Sequence, residues 1–240
     1  MNNTQKIEQP GDVAIIGAGW VGKTLALSLQ AKNINVLATS TSEQGVENLC
    51  QQGIPAVIFN AQQCASTSTV FLCKQLIICI PPGIRYGNSQ YPNNIANIIA
   101  AAEAEHSNVE SVILLSSTAV YNGLPGIVDE TSTLNKAAPK VELISQAEDH
   151  VLNSTIKHSY VLRLGGLLGY DRQPGRFFKN GRLIPNPQSV INFIHRDDVI
   201  GIIETLIEAQ TSNDIPRSQI FNCIAPLHPK RDDFYKLACS

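Results

Sequence analysis

Charge is scarce in this chain: 16% of its 240 residues are charged and the net charge is −2. With no cluster of Lys and Arg, it has no electrostatic footprint for nucleic acid. No apolar run is long enough to cross a bilayer, and the polar start MNNTQKIEQP lacks the basic-then-apolar order of a signal peptide. These absences predict a soluble, cytoplasmic protein with neither a nucleic-acid nor a membrane partner. The six cysteines form no C-x-x-C pair, and neither they nor the five histidines cluster. That argues against a metal site and for reduced, structural thiols. No internal repeat or low-complexity segment is present. What remains is a globular composition, 43% hydrophobic, enough for one domain with at most a small lobe.

The strongest positive signal lies at residues 13–30. An apolar run, Val13-Ala14-Ile15-Ile16, meets Gly17-Ala18-Gly19-Trp20-Val21-Gly22, and an apolar-periodic stretch with Leu25 and Leu29 follows. A buried strand that turns into a helix through G-x-G-x-x-G presents backbone N–H groups and a helix N-terminus to a dinucleotide pyrophosphate. Gly17 is expected to make the tight turn, Gly19 to let phosphates approach the backbone, and Gly22 to let helix and strand pack closely. Trp20 and Val21 belong to the same loop, with Trp20 covering the pyrophosphate turn or packing below it. The competing account is a glycine turn in a nucleotide-free α/β protein.

Further continuous apolar runs, separated by helical stretches, predict an α/β fold: a Rossmann-like doubly wound parallel sheet covered on both faces. Strands are expected at 13–16, 35–38, 56–59, 76–80, 111–115, 160–164 and 219–224, and helices at 19–31, 45–51, 91–106, 141–153 and 196–209. Residues 1–164 read as the dinucleotide-binding core. Residues 165–240 complete the sheet and form a small C-terminal substrate lobe. Within them, the Gly-, Pro- and Arg-rich stretch 165–187 reads as an irregular crossover leaving the carboxyl end of a strand, where ligands of open α/β sheets bind. Its Arg172, Arg176 and Arg182 could grip a substrate phosphate, while an ordered but inert loop is the alternative.

The second strand runs into Thr39-Ser40-Thr41-Ser42, with no acid before Glu43. An NAD site usually places Asp or Glu there to bind the ribose 2′-OH. A hydroxyl-rich turn lacks the carboxylate that would repel a 2′-phosphate, so NADP is expected over NAD, with Thr39, Ser40 and Thr41 as its contacts. A plain polar βα turn is the other account. Ile80, Pro81 and Pro82 follow the fourth strand at the cofactor edge, stiffened by the two prolines. Arg85, just beyond, suits a phosphate or carboxylate or simply solvent.

Ser116-Ser117-Thr118-Ala119-Val120-Tyr121 follows the fifth strand, with Glu130 downstream, Phe193-Ile194-His195-Arg196-Asp197-Asp198-Val199 later and Phe221-Asn222-Cys223 near the end. Taken in order, these resemble the landmarks of the extended short-chain dehydrogenase/reductases, which include NAD-dependent epimerase/dehydratases acting on nucleotide sugars. The Pro81-Pro82 loop, Pro174-Gly175-Arg176-Phe177-Phe178 and Ala225-Pro226-Leu227-His228-Pro229 resemble the short atypical branch. The resemblance implies a cofactor contact at Ser116, a small-molecule substrate and a homodimer formed through two helices. It also implies that Ser117 orients the substrate oxygen.

The chain departs from that pattern in two places. Ile16 stands where family members with GGxGxxG carry an extra glycine, and the catalytic Tyr-x-x-x-Lys pair is missing. Counted back from Glu148, the tyrosine position is Lys140 and the lysine position is Ile144. In the family mechanism that tyrosine exchanges a proton with the substrate while the nicotinamide exchanges a hydride. Tyr121 and Lys140 are the candidate substitutes, beside Ser117. His195 reads as a structural or substrate-lobe residue rather than an acid–base group, with Asp197 or Asp198 capping the helix that follows, and His228 has no identifiable partner. The functional expectation is an NAD(P)-dependent oxidoreductase or epimerase acting on a small polar or nucleotide-sugar substrate. The alternatives are a non-catalytic NAD(P)-binding sensor or regulator and, more weakly, a dehydrogenase of another Rossmann family.

Overall fold

A computed structural model describes residues 11–84, 87, 89–174, 184–210 and 215–239. Seven parallel strands form one sheet in the order β3-β2-β1-β4-β5-β6-β9. They are β1 (Val13–Ile16), β2 (Val36–Ser40), β3 (Ala56–Ile58), β4 (Gln75–Ile78), β5 (Ser111–Ser117), β6 (His158–Leu164) and β9 (Ser218–Cys223). The order reverses between β1 and β4, which opens a crevice at the carboxyl ends of the strands, the doubly wound arrangement expected.

The continuous apolar runs divide their side chains between two layers because strand side chains alternate. Val13 and Ile15 of β1 join Val36, Ile77, Ile113 and Leu162 on one face. There they meet Leu25 and Leu29 of α1 (Trp20–Ala31), Leu49 of α2 (Glu43–Gln51) and Val199 and Ile203 of α5 (Arg196–Ala209). Ala14 and Ile16 join Leu37, Leu76, Ile78 and Leu114 on the other face. That face is closed by α3 (Tyr91–Ala102) and α4 (Pro139–Leu152), through Ile95, Ile98, Ala147 and Val151. With both faces covered, strict alternation of apolar and polar residues has no reason to appear in the sequence.

Most boundaries move by one or two residues from expectation. Two moves matter for the site. β5 continues through Ser116 and Ser117, paired with Arg163 and Leu164 of β6, because a buried carboxylate on α4 receives the Ser116 hydroxyl. β2 takes in Thr39 and Ser40, paired with Val57 and Ile58 of β3, so the expected turn residues are partly strand. α3 stops at Ala102, short of His106.

The crossover is also more regular than expected. Gly166–Leu168 (β7) pairs in parallel with Phe193–His195 (β8), a two-stranded sheet beside the main one. The cap of α5 is His195, whose Nδ1 accepts from the Asp197 N–H at 3.2 Å, while Asp197 and Asp198 occupy the first turn. His228 does have a partner, Asn192 Oδ1 at 2.8 Å from its Nδ1. The last helix, α6 (Arg231–Cys239), stacks Phe234 on Phe193 at 4.8 Å between ring centres. Among the described residues no helix is long and apolar enough to cross a membrane. Among them, too, no cluster of three His, Cys, Asp or Glu could hold a metal ion.

Candidate functional site

The glycine loop adopts the geometry its residue types call for. Gly17 has φ +90°, a left-handed conformation that a side chain would strain. A Cβ on Gly22 would fall 2.7 Å from the Gly17 carbonyl oxygen and 3.0 Å from Ile15 Cγ2, so glycine is what allows α1 to close on β1. A Cβ on Gly19 would meet no protein atom within 4 Å: the loop leaves an open face there. Thr39, at the end of β2, is buried and accepts the Gly17 N–H on its Oγ1 at 3.0 Å. Its hydroxyl therefore braces the loop from the neighbouring strand.

In front of that face lies a cavity of about 750 Å³, lined from the carboxyl ends of β1 to β6. All the loop residues singled out from sequence line it: Gly17, Gly19, Trp20, Val21 and Gly22. So do Thr39, Ser40 and Thr41, and Ile80, Pro81 and Pro82 after β4. Ser116 and Ser117 line it at the end of β5. Ser117 Oγ also accepts the Ala119 N–H at 3.2 Å, capping the single 3₁₀ turn Thr118–Tyr121. Phe59, Asn60, Ala61 and Gln62 after β3, and Asn94 on α3, were not anticipated. Asn60 Oδ1 accepts the Gln62 N–H at 2.9 Å and shapes that turn. Their one sequence signal is position, since they follow a strand whose carboxyl end faces the same crevice.

Neither proposed substitute for the missing tyrosine lines the cavity. Tyr121 is buried beside Arg163: its hydroxyl accepts from Arg163 Nη1 at 2.7 Å and donates to Asn222 Oδ1 at 2.8 Å. The phenol is thus committed to both neighbours, and the reason is packing of the segment after β5 against β6 and β9. Lys140 lies in the first turn of α4, also outside the lining. Glu130 Oε1 accepts the Asn222 N–H at 2.6 Å, tying the same corner together. Beneath Ser116 sits a buried ion pair: Arg163 Nη2 reaches Glu148 Oε2 at 2.7 Å, and Ser116 Oγ donates to Glu148 Oε1 at 2.5 Å. Burial pushes the thiol of Cys79, also in the lining, up to about 12, so it stays neutral and unreactive near pH 7. Among the described residues no Asp, Glu, His, Lys or Tyr lines the cavity.

Trp20 carries a role that sequence did not reveal. Its indole Nε1 donates to both carboxylate oxygens of Asp171, at 2.9 and 3.0 Å. Gly169 packs so closely that a Cβ there would lie 2.6 Å from Trp20 Cζ2. The crossover after β7 is thereby pinned to the glycine loop. Arg85, Arg176 and Arg182 lie outside the described residues. The Trp20 N–H, followed by the positive charges of Arg196 and Lys23, holds the Asp171 carboxyl below its ordinary value. A lowered carboxyl value in the folded state means the contact is intact at neutral pH and is lost as pH falls through that lowered value. Fluorescence of the sole tryptophan should accordingly shift in a single transition whose midpoint lies below the ordinary aspartate value of 3.8. In Asp171→Asn the shift should vanish. A wild-type transition centred above the ordinary value would contradict the contact.

The chain and its fold are similar to known proteins. The family described as NADP oxidoreductase, coenzyme F420-dependent, matches residues 12–82. Protein YeeZ of Escherichia coli is 33% identical over 233 residues, covering 93% of this chain and 81% of YeeZ. A protein of Methylobacillus flagellatus described as an NAD-dependent epimerase/dehydratase superposes with a TM-score of 0.76 at 19% identity, over 96% of this chain and 81% of that one. MoeE5, solved with UDP-glucose and NAD, gives 0.75 at 17% identity over 95% and 81%. ChuY, an anaerobilin reductase of Escherichia coli, gives 0.60 at 20% over 90% and 98%. The chain belongs to the family of YeeZ and has the fold of epimerase/dehydratase-type proteins, with no Tyr-x-x-x-Lys pair at residues 135–148.

Proposed function

We propose that this protein binds NADP(H) and uses it in oxidoreductase or epimerase chemistry on a small polar or nucleotide-sugar substrate. The observation that carries the reading is the open, side-chain-free face at Gly19, set at the start of α1 and facing the cavity. The backbone of Gly17–Gly22 would hold the pyrophosphate. Ser40, Thr41 and the Phe59–Gln62 turn would take the adenosine end; Ile80–Pro82, Ser116 and Ser117 would flank the nicotinamide end. A bound nicotinamide supplies or accepts a hydride. Ser117 would hold the substrate oxygen, and with no Asp, Glu, His, Lys or Tyr in the described lining, the accompanying proton comes from a hydroxyl or from solvent. Domain roles follow the same division, with 1–164 carrying the cofactor and 165–240 the substrate side.

A described lining without Asp, Glu, His, Lys or Tyr favours a second reading, a dinucleotide-binding sensor without turnover. Calorimetric titration with NADP⁺ and NAD⁺, followed by a turnover screen against nucleotide sugars and carbonyl compounds, separates the two. Tight binding with no turnover selects the sensor, and failure to bind either dinucleotide removes both.

NADP over NAD has its own test. Thr39 is buried, whereas Ser40 is half-buried and Thr41 exposed, so these two are the hydroxyls that would face a 2′-phosphate. Ser40→Asp should lower the NADP⁺:NAD⁺ affinity ratio by about tenfold or more, because a carboxylate there repels the phosphate. An unchanged ratio would remove Ser40 from the 2′-phosphate site.

A further inference from the structure

Arg172 is the one charged side chain lining the cavity among the described residues. Its position is set by the crossover turn: the Arg172 N–H donates to the Gly169 carbonyl at 3.0 Å, and Gly169 itself packs on the Trp20 ring. The Arg172 guanidinium lies 5.3 Å from the centre of that ring, within cation–π range, and Arg196 lies 4.6 Å from it. The two arginines differ in what neutralises them. Arg196 has Asp171 at 3.4 Å and Asp197 at 3.8 Å, whereas among the described residues no carboxylate lies within ion-pair distance of Arg172. Trp20 is the first residue of α1, so a group held by the first N–H donors of that helix lies next to the Arg172 seat. The glycine loop contributes only uncharged donors, and an exposed guanidinium with a fixed backbone supplies the missing counter-charge in a planar, bidentate form.

We propose that Arg172, seated on the Trp20 indole at the rim of the cavity, is the cation that binds the diphosphate of the ligand. The inference rests on the proposed function in taking the cavity as a nucleotide site. A diphosphate could belong to the dinucleotide or to a nucleotide-sugar substrate, and one set of titrations tells them apart.

The test is calorimetry on the full chain, comparing wild type, Arg172→Gln and Arg172→Lys with NADP⁺, NAD⁺, UDP-glucose and adenosine at low and high salt. Arg172 is exposed, so thermal unfolding should show all three folded alike. Arg172→Gln should weaken a diphosphate ligand by about 10- to 100-fold, the scale of one lost charge-assisted contact. It should also flatten the salt dependence of that binding, while Arg172→Lys recovers part of the affinity and adenosine binding stays unchanged. A loss confined to the dinucleotides assigns the arginine to the cofactor, and a loss confined to UDP-glucose assigns it to the substrate. Equal affinity and equal salt dependence in wild type and Arg172→Gln overturns the inference and leaves the dinucleotide reading standing. If wild type binds no dinucleotide but binds UDP-glucose through Arg172, the proposed cofactor falls and the diphosphate role stands. If it binds none of these diphosphates, both fall.

Discussion

Glu148→Gln is expected to destabilise the protein by about 3–5 kcal/mol, the cost of leaving one member of a buried ion pair without its partner. Glu148 and Arg163 are 1% and 3% exposed, and the carboxylate accepts from Arg163 Nε as well as Nη2, at 3.1 and 2.7 Å to Oε2. The same carboxylate takes the Ser116 hydroxyl, and the same guanidinium serves the Tyr121 oxygen. Neutralising the carboxylate therefore strands a buried guanidinium and loosens the ends of β5 and β6 together. For a chain of this size the cost corresponds to a fall in Tm of about 6–20 °C, at roughly 2–4 °C per kcal/mol. Arg163→Met should cost a similar amount. The double variant Glu148→Gln/Arg163→Met should be more stable than the sum of the singles predicts, because neither charge is then left alone. Thermal and urea unfolding of the four proteins reads this directly. Strict additivity, or a single substitution within about 1 kcal/mol of wild type, would show that the pair is not the desolvated unit described.

Gly22→Ala should abolish tight dinucleotide binding, by roughly 100-fold or more, which is about 2.7 kcal/mol. The added methyl meets the Gly17 carbonyl oxygen at 2.7 Å, and backbone cannot move aside as a flexible side-chain end can. Either α1 moves away from β1 or the loop opens, and both displace the N–H donors. Overpacking of this kind also costs about 1–3 kcal/mol of stability. Gly19→Ala is the informative partner, since its methyl has no protein atom within 4 Å and points into the open face. It should weaken the dinucleotide while costing less stability than Gly22→Ala. If Gly19→Ala binds as wild type does, the open face is not where the phosphates lie.

Much of the fold was legible because the strands are buried on both faces and read as short continuous runs, with the Gly17–Gly22 loop marking where the first turns into a helix. The landmarks Ser116–Tyr121 and Phe193–Val199 were legible through their resemblance to family motifs rather than through local periodicity. Boundaries at Ser116–Ser117 and Thr39–Ser40 were not, since polar residues look like turn residues until the Ser116 hydroxyl is seen to donate to Glu148 and the Thr39 hydroxyl to accept the Gly17 N–H. The parallel pair β7–β8 was hidden too, because its partners are about 27 residues apart in a Gly- and Pro-rich stretch.

The sequence by itself determined the layered α/β architecture, the glycine loop at the carboxyl end of the first strand, and the loss of Tyr-x-x-x-Lys. Those depend on local patterns: short continuous apolar runs, a strand–turn–helix junction, and residue identity at fixed spacing. Only the tertiary structure decided how Tyr121, Arg163, Glu148 and Ser116 form one buried network, and how Trp20 holds Asp171 and Arg172 to the glycine loop. Tyr121 and Glu148 lie on different elements, and Trp20 and Asp171 are 151 residues apart. The physical reason is that a buried charge, or an indole N–H at a cavity rim, takes its partner from whatever element packs against it, and no local spacing records that choice.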